Sequence, residues 1–318
     1  MEFKYSREVE NDLYETDGLN HGIPLRGCLR AQNDWDANVG NIAGYQGGIG
    51  DPYSFMAVTL PECLPERLEI LAYANEFAFL YDDKLENLDL HGGLDAQSAV
   101  HGFLATFDDE CFDKTALGRA KAHARPEIRL QSRIFTEMVA LDPVRGETSM
   151  KAWAEFVQLA ARTRVKQYMT LAEYVPARVI DAGEMLWFGF LTFGMALTIP
   201  ADEYQTCMEM ARPGYAVLGL TNDLYSWEKE LKAAKQARSN YVFNAIWVIM
   251  KEYQADEEEA KGICKQQIRA YMSMFVKVVD RAKGDSTLSR DFRLYLEALL
   301  YSCIGNLVWS ISCPRYHQ

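Results

Sequence analysis

From about residue 50 onward, apolar residues in this chain recur at intervals of three and four, interrupted only by short proline and glycine punctuation. That is the period of the α-helix. It predicts helices over 28–38, 53–60, 65–87, 95–107, 115–140, 147–171, 173–198, 201–234, 240–254, 256–282 and 287–311. Breaks are expected at Pro61, Pro65, Pro143, Pro200 and Gly284, and Asp, Ser or Thr stands near several of the helix starts. The 318 residues are 49% hydrophobic and contain no repeat, low-complexity segment or linker-like stretch. One all-α domain is the simplest account, with an irregular N-terminal arm over about residues 1–27. The glycine-rich residues 44–50 (GYQGGIG) lack the Lys-Ser/Thr of a phosphate-binding loop and follow no strand, so they are expected to form a plain surface loop.

A formal net charge of −12 argues against nucleic acid and anionic membrane surfaces as partners. A polyphosphate is still compatible with that charge if divalent metal supplies the positive countercharge. The seven cysteines are odd in number and scattered, with no CxxC pair. A zinc site or disulfide framework is therefore not expected, and a reducing, cytoplasmic setting is. The first residues, MEFKYSREVEND, carry no apolar signal-peptide core. Residues 185–199 form an apolar run too short to span a bilayer, expected to be a buried helix.

Two acidic clusters stand out because each ends a helix-like stretch that is otherwise apolar. Along residues 65–87, Leu68, Leu71, Asn75, Phe79, Asp82 and Glu86 fall on one helical stripe. Acids normally occupy the solvent face, so this alignment aims them along the core-facing side. Asp83 lies about 100° round the helix and would serve as an outer partner. Taken alone, such a run in an acidic chain is best read as a solvated helix end. A second acidic run, residues 108–113, has no apolar stripe leading into it and is assigned to a loop.

The second cluster, NDLYSWEKE over residues 222–230, places Asn222, Ser226 and Glu230 one helical turn apart on a single stripe. An amide, a hydroxyl and a carboxylate oxygen can together chelate one hard cation such as Mg²⁺. Asp223 would face away or support the site from behind. Lys229 could reach an anionic ligand as a point charge. Alone, a metal site and a set of ordinary polar residues are about equally good readings of this stretch. Two such clusters facing one cavity favour the metal site.

At this point the chain resembles the class I terpene cyclases. DDKLE (residues 82–86) is similar to their aspartate-rich motif, with Glu86 where Asp is commoner, and NDLYSWEKE fits their NDxxSxxxE metal-binding motif at every specified position. YANEFAFLYDD, PARVIDAGEMLWFG, NAIWVIM and GNLVWSISCPRY resemble the cyclase half of fungal chimeric synthases, which make di- or sesterterpenes and carry a separate prenyltransferase domain. The resemblance covers nearly the whole chain. It implies a single class I terpenoid synthase-type helical bundle with a central active-site cavity. It also implies a pyrophosphate-sensing arginine at Arg178, a linker acid at Asp181, an effector carbonyl at Ala182 beside Gly183, and a diphosphate-binding pair at Arg315 and Tyr316. Residues 1–318 would be the cyclase domain alone, with any prenyltransferase either linked in a longer protein or separate. A chain-elongating synthase would carry two aspartate-rich motifs. A proton-initiated cyclase would need DxDD, of which Asp34-Trp35-Asp36-Ala37 lacks the last acid.

The expected reaction is Mg²⁺-dependent ionisation and cyclisation of a long prenyl diphosphate, geranylgeranyl first and geranylfarnesyl second, with release of pyrophosphate. Three Mg²⁺ ions would be held by Asp82 and Glu86 on one side and by Asn222, Ser226 and Glu230 on the other. Arg178, Lys229, Arg315 and Tyr316 would complete the diphosphate cradle. Candidate pocket residues are Phe55, Asn75, Phe79, Trp187, Phe188 and Trp309, since aromatic faces stabilise a cation by about 0.5–2 kcal/mol each. The competing readings are a Mg²⁺-dependent phosphohydrolase and a helical scaffold without activity. Phe79→Ala is expected to change product identity more than the rate of diphosphate consumption. GC–MS beside a pyrophosphate assay tests this, and unchanged products with a simple loss of folding would refute it.

Overall fold

The computed structural model of the chain describes residues 22–50, 53–90, 125–160 and 162–317, and only the backbone of residues 85–90 and 165. Every long regular element among them is helical: α1 (Ile23–Asn38), α2 (Phe55–Thr59), α3 (Pro65–Leu90), α4 (Pro126–Leu141), α5 (Pro143–Ala160), α6 (Leu171–Asp181), α7 (Glu184–Gly194), α8 (Tyr204–Gln236), α9 (Ala245–Tyr253), α10 (Glu257–Gly284) and α11 (Arg290–Ser312). The expected helix over 95–107, the start of that over 115–140 and the acidic run 108–113 lie outside the described residues.

Local chemistry explains the boundaries. Pro24, Pro126 and Pro143 each sit in the first turn of a helix, where a missing N–H costs nothing. Thus α1 starts at Ile23 rather than 28, and Pro143 begins a helix as well as ending one. Asp256 and Glu259 form a reciprocal capping box at the start of α10, while Thr170, Asn244 and Ser289 cap α6, α9 and α11. The helix expected over 173–198 is two helices. Gly183 adopts a left-handed conformation (φ 89°, ψ 41°), which L side chains rarely take, and turns the chain between α6 and α7.

Among the described residues a large hydrophobic core runs through the bundle, with a smaller separate cluster of Val58, Trp309, Cys313 and Tyr316 beside it. α1 packs on α3, α5 on α7, and α8 on both α10 and α11, while the short α2 lies against α11. Gly214 on α8 lets the Phe275 ring of α10 approach so closely that a Cβ would lie 2.7 Å from it. The Tyr215 and Tyr295 hydroxyls share a buried hydrogen bond between α8 and α11. By length and composition α11 is apolar enough to cross a membrane, but 56% of its apolar window is buried in this core. Of residues 185–199, expected to be one buried helix, only the part up to Gly194 is helical, with Trp187 to Gly194 all enclosed; residues 195–199 leave the helix and Thr198 is exposed.

Residues 44–50 are a surface loop only in their first half, where Gly44 and Gln46 are exposed. Gly47 and Gly48 are buried, and the segment is threaded between α3 and α11. The small side chains that look like loop composition in sequence are what allow this backbone to lie so close to its neighbours.

Asp142 closes the junction of α4 and α5. It pairs with Arg67 Nη2 at 2.9 Å and Arg145 Nη1 at 3.0 Å, and those arginines also donate to the Phe193 and Leu197 carbonyls at and beyond the end of α7. Burial works to raise the Asp142 pKa, but the Arg145 N–H and both guanidinium groups outweigh it and hold it low. The stabilisation is present above the unfolded carboxylate pKa of about 3.9 and lost as pH falls through the lower folded value. Asp142→Asn is therefore expected to destabilise the protein at pH 7 by about 1–3 kcal/mol. Denaturant melts should show that gap narrowing below about pH 4. A constant gap down to pH 2 would refute the ion-pair account.

Candidate active site

The two acidic clusters meet. Lys229 of α8 donates to Asp83 Oδ1 of α3 at 3.0 Å. Arg315, after α11, grips the same carboxylate with both terminal nitrogens, at 2.7 and 3.0 Å. Asp83 is thus the shared counter-ion of two cations rather than an outer partner. Burial acts to raise its pKa, but Arg315 and Lys229 more than reverse this and hold it ionised. Arg315 also donates to the Gln46 carbonyl at 2.8 Å and lies 5.0 Å above the Phe79 ring.

Behind this contact lies a buried polar network built on Asp223. Its side chain has no solvent exposure and accepts three hydrogen bonds: Tyr174 Oη at 2.7 Å, Arg178 Nε at 2.8 Å and the Ala245 N–H at 3.0 Å. Arg178 extends from there to Asp181 at 2.7 Å and to Asn222 Oδ1 at 2.6 Å, and Asn222 Nδ2 donates onward to Tyr316 Oη at 2.5 Å. Burial opposes the guanidinium charge, yet Asp223 and its neighbours raise the Arg178 pKa further. Asp181 is held low, against its own burial, by Arg164 and Arg178. The helix break falls directly after it. Ala182 caps α6 and is exposed, its N–H donating to the Arg178 carbonyl at 2.7 Å, and Gly183 follows.

Three of the proposed metal ligands have the expected α8 register. Asn222 Oδ1 is engaged by Arg178. Glu230 accepts from Asn244 Nδ2 at 3.0 Å. The Ser226 hydroxyl is buried and has no hydrogen-bond partner of good geometry among the described residues, although it lies close enough to Glu230 to favour the charged carboxylate. Burial nevertheless raises the Glu230 pKa, and the Asp223 charge adds to the effect. A divalent cation at this carboxylate would reverse both. On the facing helix Asp82 is half-buried and makes no ion pair or side-chain hydrogen bond with any described residue. The Glu86 side chain lies outside the described residues. Among the described residues no three His, Cys, Asp or Glu side chains converge on one point. A metal here would rely on the amide and hydroxyl as well as on both helices. A hydroxyl beside a buried carboxylate, opposite an aspartate, both without a well-formed partner among the described residues, fits a hard oxygen-liganded cation.

Next to Asp83 and Arg315 stands a cluster of rings centred on Phe55, whose centroid is 5.0 Å from Trp309, 5.5 Å from Phe79 and 5.8 Å from Trp187. Phe79 and Trp309 are 6.1 Å apart and nearly parallel, and Trp309 meets Tyr316 at 5.4 Å. Asn75 sits one turn before Phe79 on α3, buried, with its Nδ2 unpartnered. Phe188 is not among them. It packs against Tyr204 and Tyr295 at 5.3 and 5.4 Å. Successive helical residues point about 100° apart, so with Trp187 on the cluster Phe188 faces another side.

Sequence reasoning missed Tyr174, Asn244 and Arg164. Tyr174 stands one turn before Arg178 on α6, a spacing that could have revealed it. Asn244 is a recognisable N-cap, but that its amide also reaches Glu230 and the Asp223 carbonyl is visible only in three dimensions. Arg164 reaches Asp181 from a 3₁₀ turn, with no periodic signal to announce it.

A family model described as "Terpene synthase family 2, C-terminal metal binding" matches residues 73–273. Fusicoccadiene synthase of Phomopsis amygdali is 40% identical over 329 residues, covering 100% of this chain and 46% of the relative. A bifunctional type I diterpene synthase of Aspergillus flavipes is 42% identical, covering 100% of the chain and 42% of the relative. A bifunctional sesterterpene synthase of Aspergillus aculeatus is 37% identical, covering 100% and 45%. The chain therefore spans less than half the length of these relatives. Among solved structures, aristolochene synthase from Penicillium roqueforti superposes with a TM-score of 0.67 at 18% identity, covering 92% of this chain and 96% of that one. The fold is thus that of the class I terpenoid synthases. The chain belongs to terpene synthase family 2, as an enzyme of class I.

Ser226→Ala is a sharp test of the metal site. Removing a buried, unpartnered hydroxyl should leave the ligand-free melting temperature unchanged or slightly higher. In wild-type protein, Mg²⁺ plus pyrophosphate at about a hundred times the dissociation constant should add about 2.7 kcal/mol. Each tenfold weakening in the variant removes about 1.4 kcal/mol of that gain. An undiminished gain would exclude Ser226 as a ligand.

Proposed function

We propose that this chain is a cyclase domain that ionises a long prenyl diphosphate and folds the resulting cation into a polycyclic hydrocarbon, releasing pyrophosphate. The observation that carries this reading is the junction at Asp83. Two cations, Arg315 and Lys229, converge on one carboxylate at the edge of the Phe55 ring cluster, so an anion-binding end abuts an apolar end. A prenyl diphosphate has the same two ends.

Asp82, Glu86, Asn222, Ser226 and Glu230 would hold Mg²⁺, three ions in our reading. When bound, the metal supplies Lewis-acid stabilisation of the departing pyrophosphate. Arg178, Lys229, Arg315 and Tyr316 would bind the diphosphate oxygens through charge-assisted hydrogen bonds. For that to happen Arg315 and Lys229 must be shared with, or released from, Asp83, and Arg178 from Asn222. Asp181 keeps its second partner, Arg164 (2.8 Å), and so would remain placed while Arg178 turns. Phe55, Phe79, Trp187 and Trp309 would exclude water and present their faces to positive charge as it migrates along the chain. A phosphohydrolase would need water where these rings pack.

The names of the relatives support a C20 or C25 substrate, since they include diterpene and sesterterpene synthases. Two of them are called bifunctional, which with the partial coverage supports a prenyltransferase domain linked to this one in a longer protein. Incubation with geranylgeranyl or geranylfarnesyl diphosphate, with Mg²⁺ or EDTA, is expected to give a metal-dependent cyclic hydrocarbon by GC–MS. Asn222→Ala should lower turnover by about 10²-fold or more, the scale of losing one preorganised transition-state contact. Linear alcohols alone would indicate a phosphohydrolase. No turnover of either substrate by folded protein would return the scaffold reading.

A further inference from the structure

We infer that Gly48 is a product-determining position of the cyclisation pocket and that Glu76 is its positioning residue. The inference rests on the cyclase reading above and concerns a segment that composition alone would leave on the surface.

The Gly48 peptide groups tie together three separate pieces of the ring cluster. Its N–H donates to Glu76 Oε2 on α3 at 2.7 Å. Its carbonyl accepts from the Phe55 N–H at the start of α2 at 2.7 Å and from Trp309 Nε1 on α11 at 3.2 Å. Phe55, Trp309 and the α3 turn bearing Asn75 and Phe79 are thus registered against one residue. Two positions earlier, the Gln46 carbonyl accepts from Arg315, so the segment runs from the cationic end to the rings.

What Gly48 lacks matters as much. A Cβ there would lie 2.9 Å from Glu76 Oε2, 3.4 Å from Phe79 Cε2 and 3.5 Å from Asn75 Nδ2. The missing methyl therefore borders the Phe79 ring edge and the buried Asn75 Nδ2, which has no hydrogen-bond partner among the described residues. A Cβ at 48 would force the Glu76 carboxylate to shift while resting against the Phe79 edge, and a longer side chain would push on Phe79 as well. Glu76 has no solvent exposure and is held on its other side by Gln32 Nε2 at 2.7 Å. A Cβ at Gly47 would fall 1.9 Å from Glu76 Oε1, so the backbone here is pressed onto that carboxylate. Among the described residues Glu76 makes no hydrogen bond to Arg315 or to the rings of the cluster, although the Arg315 charge reaches it, and its direct tie to the pocket is the Gly48 N–H.

The test compares wild type, Gly48→Ala, Glu76→Gln and the control Gly262→Ala, whose Cβ would meet nothing within 4 Å. Each is incubated with geranylgeranyl and geranylfarnesyl diphosphate, and product ratios are read by GC–MS beside melting temperatures with and without Mg²⁺ and pyrophosphate. In Gly48→Ala the ratio of major to minor hydrocarbons should shift by about tenfold, the weight of one methyl group in a shaped pocket. The melting gain from Mg²⁺ and pyrophosphate should persist. Glu76→Gln should shift the ratio in a folded protein without touching the pocket, a change that a purely structural role would not produce, and it decides the matter if Gly48→Ala fails to fold. The Gly262→Ala ratio should match wild type. Wild-type ratios in both folded test variants would overturn the inference while leaving the cyclase reading intact. Absence of hydrocarbon from the wild-type protein would overturn both.

Discussion

A carboxylate with no access to water, Asp223, organises the centre of this protein. Isolated burial of such a charge is prohibitive, and its three hydrogen-bond donors are what make it tolerable. Those donors come from α6 and from the first residue of α9, while the acid itself stands on α8. The ion pair with Arg178 therefore fixes where three helices meet, and removing one partner of a buried pair typically costs about 3–5 kcal/mol. It also aims Arg178 at Asn222 and Asp181, so the proposed sensing group is held in place by the same contact that stabilises the bundle.

Around that core the site is divided by polarity. Asp83 gathers Arg315 and Lys229 on one side, and rings gather round Phe55 on the other. Arg315 belongs to both, being bonded to Asp83, donating to Gln46 and lying over Phe79. An anionic ligand that competes with Asp83 for Arg315 would therefore pull on the 46–48 backbone and on the ring it covers. Binding at the polar end and shape at the apolar end are connected through a few short contacts and do not require motion of whole helices.

Much of this was legible in the chain. The stripe from Asn75 through Phe79 to Asp82 and the turn spacing of Asn222, Ser226 and Glu230 are consequences of helical period, and the structure keeps both. Periodicity failed where conformation depends on one residue or on a distant neighbour. Gly183 splits an otherwise uniform apolar run because its backbone can turn left-handed. Phe188 lies about 100° round the helix from Trp187 and is drawn to Tyr204 and Tyr295, a choice between two buried sides that periodicity does not make. Residues 44–50 look like a surface loop because glycine is ambiguous: the same absence of side chain serves an exposed turn and a backbone buried under a tryptophan.

The sequence by itself determined the helices, the stripes on them and the family, because these depend on local spacing and on short motifs of definite residue type. Only the tertiary structure decided which charges pair and which rings meet. Asp83 with Arg315, Asp223 with Arg178 and Gly48 with Trp309 are 232, 45 and 261 residues apart, and such contacts leave no periodic trace in a single chain. They arise because a closed bundle brings remote helix ends to one place, where a buried charge or N–H must find whatever partner the packing supplies.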